Sequence, residues 1–299
     1  MILVRLLLLL TVISWGWSFV ATKVCLSYMT PLEVIGLRYL IGLPVLLAIL
    51  LAKRLRLRLT RRDFSMALLA AAAVTAHFLI QITGIKYTTA TNTGWIIAVT
   101  PLALAVLSVV FLKERLGRNA VVGIAVASAG IVILVSRSRF TDLAWLSSVG
   151  DWLVFASAHT WAVYTVLTRN ISRRYDPLLT TFVILALSSI GIVGTMLATS
   201  DMRRFTRLPP EPLLAILFLG IICLALAFWV WQEGVARLGA ARTGFFLYLE
   251  PLATTALAVP YLGEPFGIPT AIGGLLVLAG VCIAEKRHKS TGELAPLPE

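Results

Sequence analysis

Apolar residues gather along this chain into runs of about 18 to 22 positions, each long enough at about 1.5 Å per residue to cross a hydrocarbon core about 30 Å thick. The pattern predicts ten such helices, near residues 2–22, 32–52, 64–84, 91–112, 119–135, 149–168, 178–199, 213–232, 243–262 and 267–284. The connections between them are too short to hold a separate soluble domain. The first run starts at Ile2, carries Arg5 in its first turn and lacks a small-residue cleavage site. It therefore reads as a retained helix and not a removed signal peptide. The expected fold class is an all-α membrane protein.

The pattern is written twice. Gly84–Leu134 aligns with Gly234–Ala284 without a gap at an offset of 150, pairing Gly84 with Gly234, Thr93 with Thr243, Gly94 with Gly244, Pro101 with Pro251, Glu114 with Glu264 and Gly130 with Gly280. Leu and Ala matches mean little in so apolar a chain, but Gly, Pro, Thr and Glu are minor components here. The front halves match at an offset of 146, through Trp15 and Trp161, Thr22 and Thr168, Lys23 and Arg169, and Pro31 and Pro177. Two five-helix repeats follow, 1–148 and 149–285, with a cytoplasmic tail at 286–299. Because five is odd, the second repeat should lie upside down relative to the first, around a central cavity. Secondary transporters built of inverted repeats place their substrate near the bilayer midplane at the repeat interface.

Within each repeat one segment stands out: TGWIIAVTPL, Thr93 to Leu102, returns as TGFFLYLEPL, Thr243 to Leu252, with Glu250 in the place of Thr100. With a tryptophan in the first helix of each repeat (SWGWSFVATK, HTWAVYTVLTR) and the endings FLKERLG and YLGEPFG, the chain resembles the drug/metabolite transporter superfamily. Within it, the resemblance is to the EamA branch of amino-acid and metabolite exporters. It extends from about Trp15 to Ala284. The resemblance implies export of small metabolites by alternating access.

Composition agrees with a membrane protein. The 299 residues are 59% hydrophobic and 13% charged, with a mean hydropathy of +0.92, against about 25% charged in an ordinary soluble domain. A net charge of +12 raises nucleic acid as a partner, but the basic residues cluster in the short loops. With ten spans and a cytoplasmic start, 18 of the 26 lie inside and 7 outside, and Arg38 alone falls deep within a span. This excess places both termini in the cytoplasm. The expected location is a bacterial-type inner (plasma) membrane. The densest cluster, Lys53 to Arg62, reads as a topology anchor and also suits anionic lipid head groups.

Polar and aromatic residues inside the spans are the candidate site. An ionised Glu250 near mid-span costs at least about 2.5 kcal/mol unless paired or hydrated. It can bind a proton or a substrate ammonium, or hold Arg38. Arg38 in turn can bind a substrate carboxylate or pair with Glu33 or Glu250. His77 and Gln81 share one face of the third helix, as do Asn92 and Trp95 on the fourth. Trp17, Trp161, Tyr164, Trp229, Trp231, Phe245 and Tyr248 lie within spans and are candidates to line a pocket. The expected cavity set is Trp17, Arg38, His77, Gln81, Asn92, Trp95, Trp161, Tyr164, Phe245, Tyr248 and Glu250. Gly94, Pro101, Gly244 and Pro251 are expected to form paired helix bends, since each proline removes one helix hydrogen bond. Gly123, Gly130, Gly273, Gly274 and Gly280 read as close-packing scaffold. Glu114 and Glu264 are expected to cap helices starting at Gly117 and Gly267.

Other chemistries find little support. His77, His159 and His288 form no HExxH, and Gly16–Ser18 lacks the second glycine of a nucleophile elbow. Cys25, Cys223 and Cys282 are scattered, without metal spacing. No GxxxxGK[ST] is present, and no ring of carboxylates suggests a channel. The expectation is a transporter and not an enzyme, without cofactor or metal and without a nucleic-acid partner. The partners expected are the lipid bilayer and a small molecule, namely an amino acid with an apolar or aromatic side chain or a related metabolite. A multidrug exporter of the same fold is the alternative. Oligomeric state is unreadable, and a monomer suffices. The orientation is directly testable: cysteines placed between Lys53 and Arg62 should label only from the cytoplasmic side, and those between Arg137 and Thr141 only from outside. Labelling between Lys53 and Arg62 in intact cells would reverse it.

Overall fold

The computed structural model describes residues 2–55, 59–136, 148–262 and 268–285, and among them every regular element is helical. The first half holds α1 (Ile2–Leu26), α2 (Pro31–Ala52), α3 (Arg61–Tyr87), α4 (Ala90–Ile97), α5 (Thr100–Leu112) and α6 (Arg118–Ser136). The second holds α7 (Val149–Arg174), α8 (Pro177–Thr199), α9 (Pro210–Leu217), α10 (Ala227–Leu238), α11 (Ala240–Gly244), α12 (Glu250–Leu262) and α13 (Ile268–Glu285). A π-helical stretch, Phe218–Leu226, joins α9 to α10. Among the described residues six rods are long and apolar enough to cross a membrane: α1, α2, α3, α4 with α5, α8, and the continuous run from α9 to α10. Large apolar side chains such as Leu10, Phe111, Ile190 and Leu214 stand more than half exposed on the outside, which is the surface a lipid environment covers. This is a multi-pass integral membrane protein.

Helix starts are set by local chemistry. Thr30 caps α2 in a reciprocal box with Glu33, and Pro31 occupies the first turn, where its missing N–H is not needed. At α8 the Asp176 carboxylate accepts from the Leu178 N–H, and Pro177 again takes the first turn. Ser148 and Asp151 form a second capping box on α7.

The interruptions expected at the prolines are present in both halves. After α4 the chain tightens, with the Ala98 and Val99 N–H groups donating to Trp95 and Ile96 carbonyls three residues back, both at 3.2 Å, before α5 starts at Thr100. In the second half a 3₁₀ turn from Phe245 to Leu249 separates α11 from α12. These two breaks occupy positions that the 150-residue offset pairs. Each precedes a proline, which cannot donate to the carbonyl four residues back and whose ring crowds it.

The halves interlock through exchanged contacts. A Cβ on Gly94 would sit 3.0 Å from Thr254 Oγ1, and one on Gly244 would sit 2.6 Å from Leu104 Cδ2. Gly94 is paired with Gly244, and Leu104 with Thr254, so each broken helix crosses the other by the same contact. The outer pair behaves alike: α6 packs on α13, with Gly130 against the Gly273 carbonyl and Gly280 against the Gly123 carbonyl. Only a missing side chain lets backbones come this near.

Glu114 corrects one expectation. The helix at Gly117 does not receive it: α5 ends in a left-handed turn at Lys113, with φ of 53°. The carboxylate thereby reaches the other half, accepting from the Ala240 and Ala241 N–H groups at 3.1 Å each and from Arg169 Nε at 3.1 Å. It thus caps α11, and Gly239, with φ of 95°, lies against it. Glu264 and Gly267 lie outside the described residues. At the opposite end Asp151 accepts from Thr88 Oγ1 at 2.5 Å and from Asn92 Nδ2 at 2.6 Å, tying α7 to the α3–α4 turn. Glu114 at one end and Asp151 at the other thus tie the two halves together.

The glycine crossings give a stability test. Gly280→Ala would place its Cβ 2.5 Å from Ala127 N and 2.6 Å from the Gly123 carbonyl, backbone atoms that cannot rotate away. Loss of about 1–3 kcal/mol is expected, as for overpacked cores, visible as a lower thermal unfolding midpoint in detergent. Gly194→Ala, with nothing within 4 Å, should leave the midpoint unchanged or raise it. Equal midpoints for the two variants would contradict the packing described.

Candidate functional site

A cavity of about 40 Å³ lies where α1, α2, α3, α7, α10 and the two broken helices converge. Beside Phe19, its aromatic wall holds four residues at paired positions. Trp15 on α1 and Trp161 on α7 meet edge to face, with centroids 5.0 Å apart and planes at 84°. Phe78 on α3 and Phe228 on α10, partners at the 150 offset, lie 5.6 Å apart. Phe228 also contacts both indoles, at 5.7 and 5.2 Å. The two halves therefore touch each other through their own counterparts. Ile97 and Leu247, the residues four before each proline, line the same space.

The ionisable and amide groups of the wall are not paired. Arg38, His77, Gln81 and Glu250 line the cavity, whereas their counterparts are Ile184, Ala227, Trp231 and Thr100. Of these only Thr100 also lines it. His77 Nδ1 lies 2.9 Å from the Ser157 carbonyl, which can only accept. The ring proton is therefore on Nδ1, and in the neutral ring Nε2 is an acceptor. Arg38 is buried, with its guanidinium 4.7 Å over the Phe78 ring and its Nε without a hydrogen-bond partner. Glu250 is buried at the first residue of α12, where the helix dipole favours a negative charge. Among the described residues neither is in an ion pair: Glu33 is bonded to Arg204 and caps α2 instead. The Thr100 hydroxyl and the Trp161 Nε1 are likewise buried without partners. Trp15 differs, donating from Nε1 to the Cys223 carbonyl at 3.0 Å. That carbonyl belongs to the π-helical stretch, where the Ala227 N–H reaches back five residues to Ile222.

The chain matches the profile of the EamA-like transporter family twice, over residues 3–136 and again over 148–285. It belongs to that family. Among its relatives, an uncharacterized transporter of Archaeoglobus fulgidus is 30% identical over 95% of this chain and 98% of its own length. A protein of Streptantibioticus cattleyicolor named as a probable terminal-alkyne amino-acid exporter is 29% identical, over 94% of this chain and 92% of its own. A crystal structure of another protein shares the fold with a TM-score of 0.74, covering 94% of this chain and 97% of that one at 20% identity. The family and the names of the relatives point to a transporter and not to an enzyme.

In this EamA-like transporter the expected cavity residues divide. Arg38, His77, Gln81, Trp161 and Glu250 come together at the centre. Trp17 does not: it is 42% exposed on the outer surface. Two residues along a helix turn a side chain by about 200°, so Trp15 and Trp17 cannot both face inward. Asn92 is bound to Asp151 at one end of the bundle. Trp95 and Tyr248 pack with Ala127 and Val277 against the outer helix pair, and the Tyr248 hydroxyl lies 3.2 Å from Ser128 Oγ. Phe245 packs with Ala105, Ala120 and Ile124. Tyr164 lies behind Trp161 and accepts from Gln232 Nε2 at 2.7 Å. Gly94, Pro101, Gly244 and Pro251 are all buried along the two broken helices. Trp15, Phe78 and Phe228 were absent from the expected set. The identical pairing of Trp15 with Trp161, and of Phe78 with Phe228, was the signal that could have found them.

Proposed function

We propose that this is a ten-span secondary transporter of two inverted five-helix repeats, with both termini cytoplasmic. It exports small amino acids with apolar or aromatic side chains across the inner membrane by alternating access. The observation that carries the reading is the cavity itself: four paired aromatics form a cage at the contact between the halves, and a single carboxylate, Glu250, stands at its edge. A cage of indole and phenyl rings receives an apolar side chain, and a buried carboxylate calls for a cationic group beside it. The relative named as a probable terminal-alkyne amino-acid exporter supports the same class. A cavity of about 40 Å³ is well short of the roughly 300 Å³ at which ligand pockets begin, so binding requires the halves to part. The fastenings at Glu114 and Asp151 are the contacts that would open in turn.

Glu250 beside aromatic rings also suits a lipophilic cation, which is the second reading. Flux into proteoliposomes decides between them. Leucine and phenylalanine should move, and Glu250→Gln should slow them by about tenfold or more, the worth of one charged hydrogen bond, while the protein stays monodisperse. Flux of lipophilic cations without amino-acid flux would select the drug-exporter reading. Normal transport by Glu250→Gln at every pH would remove the carboxylate from the mechanism.

A further inference from the structure

Glu250 accounts for one end of a substrate, but Arg38 remains. Its side chain is 96% buried by the complement of its 4% exposure, it lines the cavity, and its Nε has no partner. Among the described residues it makes no ion pair. The Phe78 ring supplies a cation–π contact, worth about 2 kcal/mol in a dry site, which falls short of the several kcal/mol it costs to desolvate an ion. A guanidinium so placed needs an anion, and its fork of donors matches a carboxylate.

The cavity wall thus carries one basic and one acidic side chain, Arg38 and Glu250, that are not bonded to each other. The repeat symmetry supplies neither, since their counterparts are Ile184 and Thr100. We propose that Arg38 is the carboxylate subsite and that the ligand is recognised as a zwitterion: its carboxylate on Arg38, its ammonium on Glu250, its side chain in the cage of Trp15, Trp161, Phe78 and Phe228. This inference rests on the amino-acid reading and narrows it. A molecule bearing only one of the two charges leaves one buried ion unmatched, which is the costly case for a desolvated site. Selection is therefore against lone amines and lone acids as much as it is for amino acids. The unpartnered Thr100 hydroxyl, on the same wall, is free to join either charged group.

Three ligands that share one side chain test it: phenylalanine, phenylalaninamide without the carboxylate, and 3-phenylpropanoate without the ammonium. Binding is measured with the purified transporter, and flux in proteoliposomes. Phenylalanine should bind at least about tenfold more tightly than either analogue. Arg38→Gln should erase the preference for phenylalanine over the amide, weakening phenylalanine and, with no unmatched guanidinium left, strengthening the amide, and Arg38→Lys should restore part of the preference. Glu250→Gln should erase the preference over 3-phenylpropanoate instead. If phenylalanine is transported but phenylalaninamide binds equally well to the unaltered protein, the zwitterion proposal fails and amino-acid export stands. If Arg38→Gln, shown to be folded by an unchanged unfolding midpoint, keeps the full preference, Arg38 is a structural cation and the proposal also fails. If phenylalanine neither binds nor moves while the amide does, both readings fall.

Discussion

A helix interrupted inside a membrane must have its loosened backbone held by neighbouring protein, because no water is there to do it. This protein interrupts two, just before Pro101 and Pro251, and each supports the other. Thr254 shows how the support works: its hydroxyl lies 2.9 Å from the Glu250 carbonyl on its own helix and 3.0 Å from the Gly16 carbonyl on α1. The same residue is the one that Gly94 of the other broken helix approaches. Moving either interruption would shift α1, the crossing and the start of α12 together. The placement of Glu250 at the cavity edge depends on that crossing.

Symmetry builds the container and asymmetry gives it chemistry. Contacts between counterparts, Trp15 on Trp161 and Phe78 on Phe228, join positions that the sequence offsets pair. Apolar packing tolerates that doubling well, because aromatic faces and edges are complementary to one another. Doubled charge would not be tolerated: two copies of Glu250 or of Arg38 would face each other across a space with room for about three waters. The charges accordingly appear once each. At the ends of the bundle the fastenings differ, with Glu114 bonded to Ala240 and Ala241 at one and Asp151 to Asn92 at the other.

The apolar helices were legible in the sequence because each has a local cause, and the break before each proline has one too. Apolar run length sets a span, a proline removes a specific hydrogen bond, and a cap such as Thr30 with Glu33 starts a helix within four residues. Which face of a span looks inward was less legible. Trp15 and Trp17 have the same composition around them, and only the identity of Trp15 with its counterpart distinguished the inward one. Glu114 was read as serving its own neighbourhood because a carboxylate next to a helix start usually does so. A left-handed residue at Lys113 sends it across to α11, and no local pattern announces that turn. Glu33 was open as a partner for Arg38 until Arg204, distant in sequence, was found bonded to it.

The central claim is that the cavity is served alternately from two ends, each closed by its own fastening. Clamping one end at a time tests it most directly, in a protein whose native cysteines are replaced and whose Thr100→Cys reports on the cavity. A short bifunctional thiol reagent joins Tyr87→Cys to Val149→Cys at the Asp151 end, or Lys113→Cys to Arg237→Cys at the Glu114 end. With the Asp151 end clamped, Thr100→Cys should react only with a membrane-impermeant reagent supplied at the Glu114 side, and with the other clamp only from the Asp151 side. Transport should stop in both cases. Reaction from the clamped side, or undiminished transport under either clamp, would contradict alternating access through this cavity.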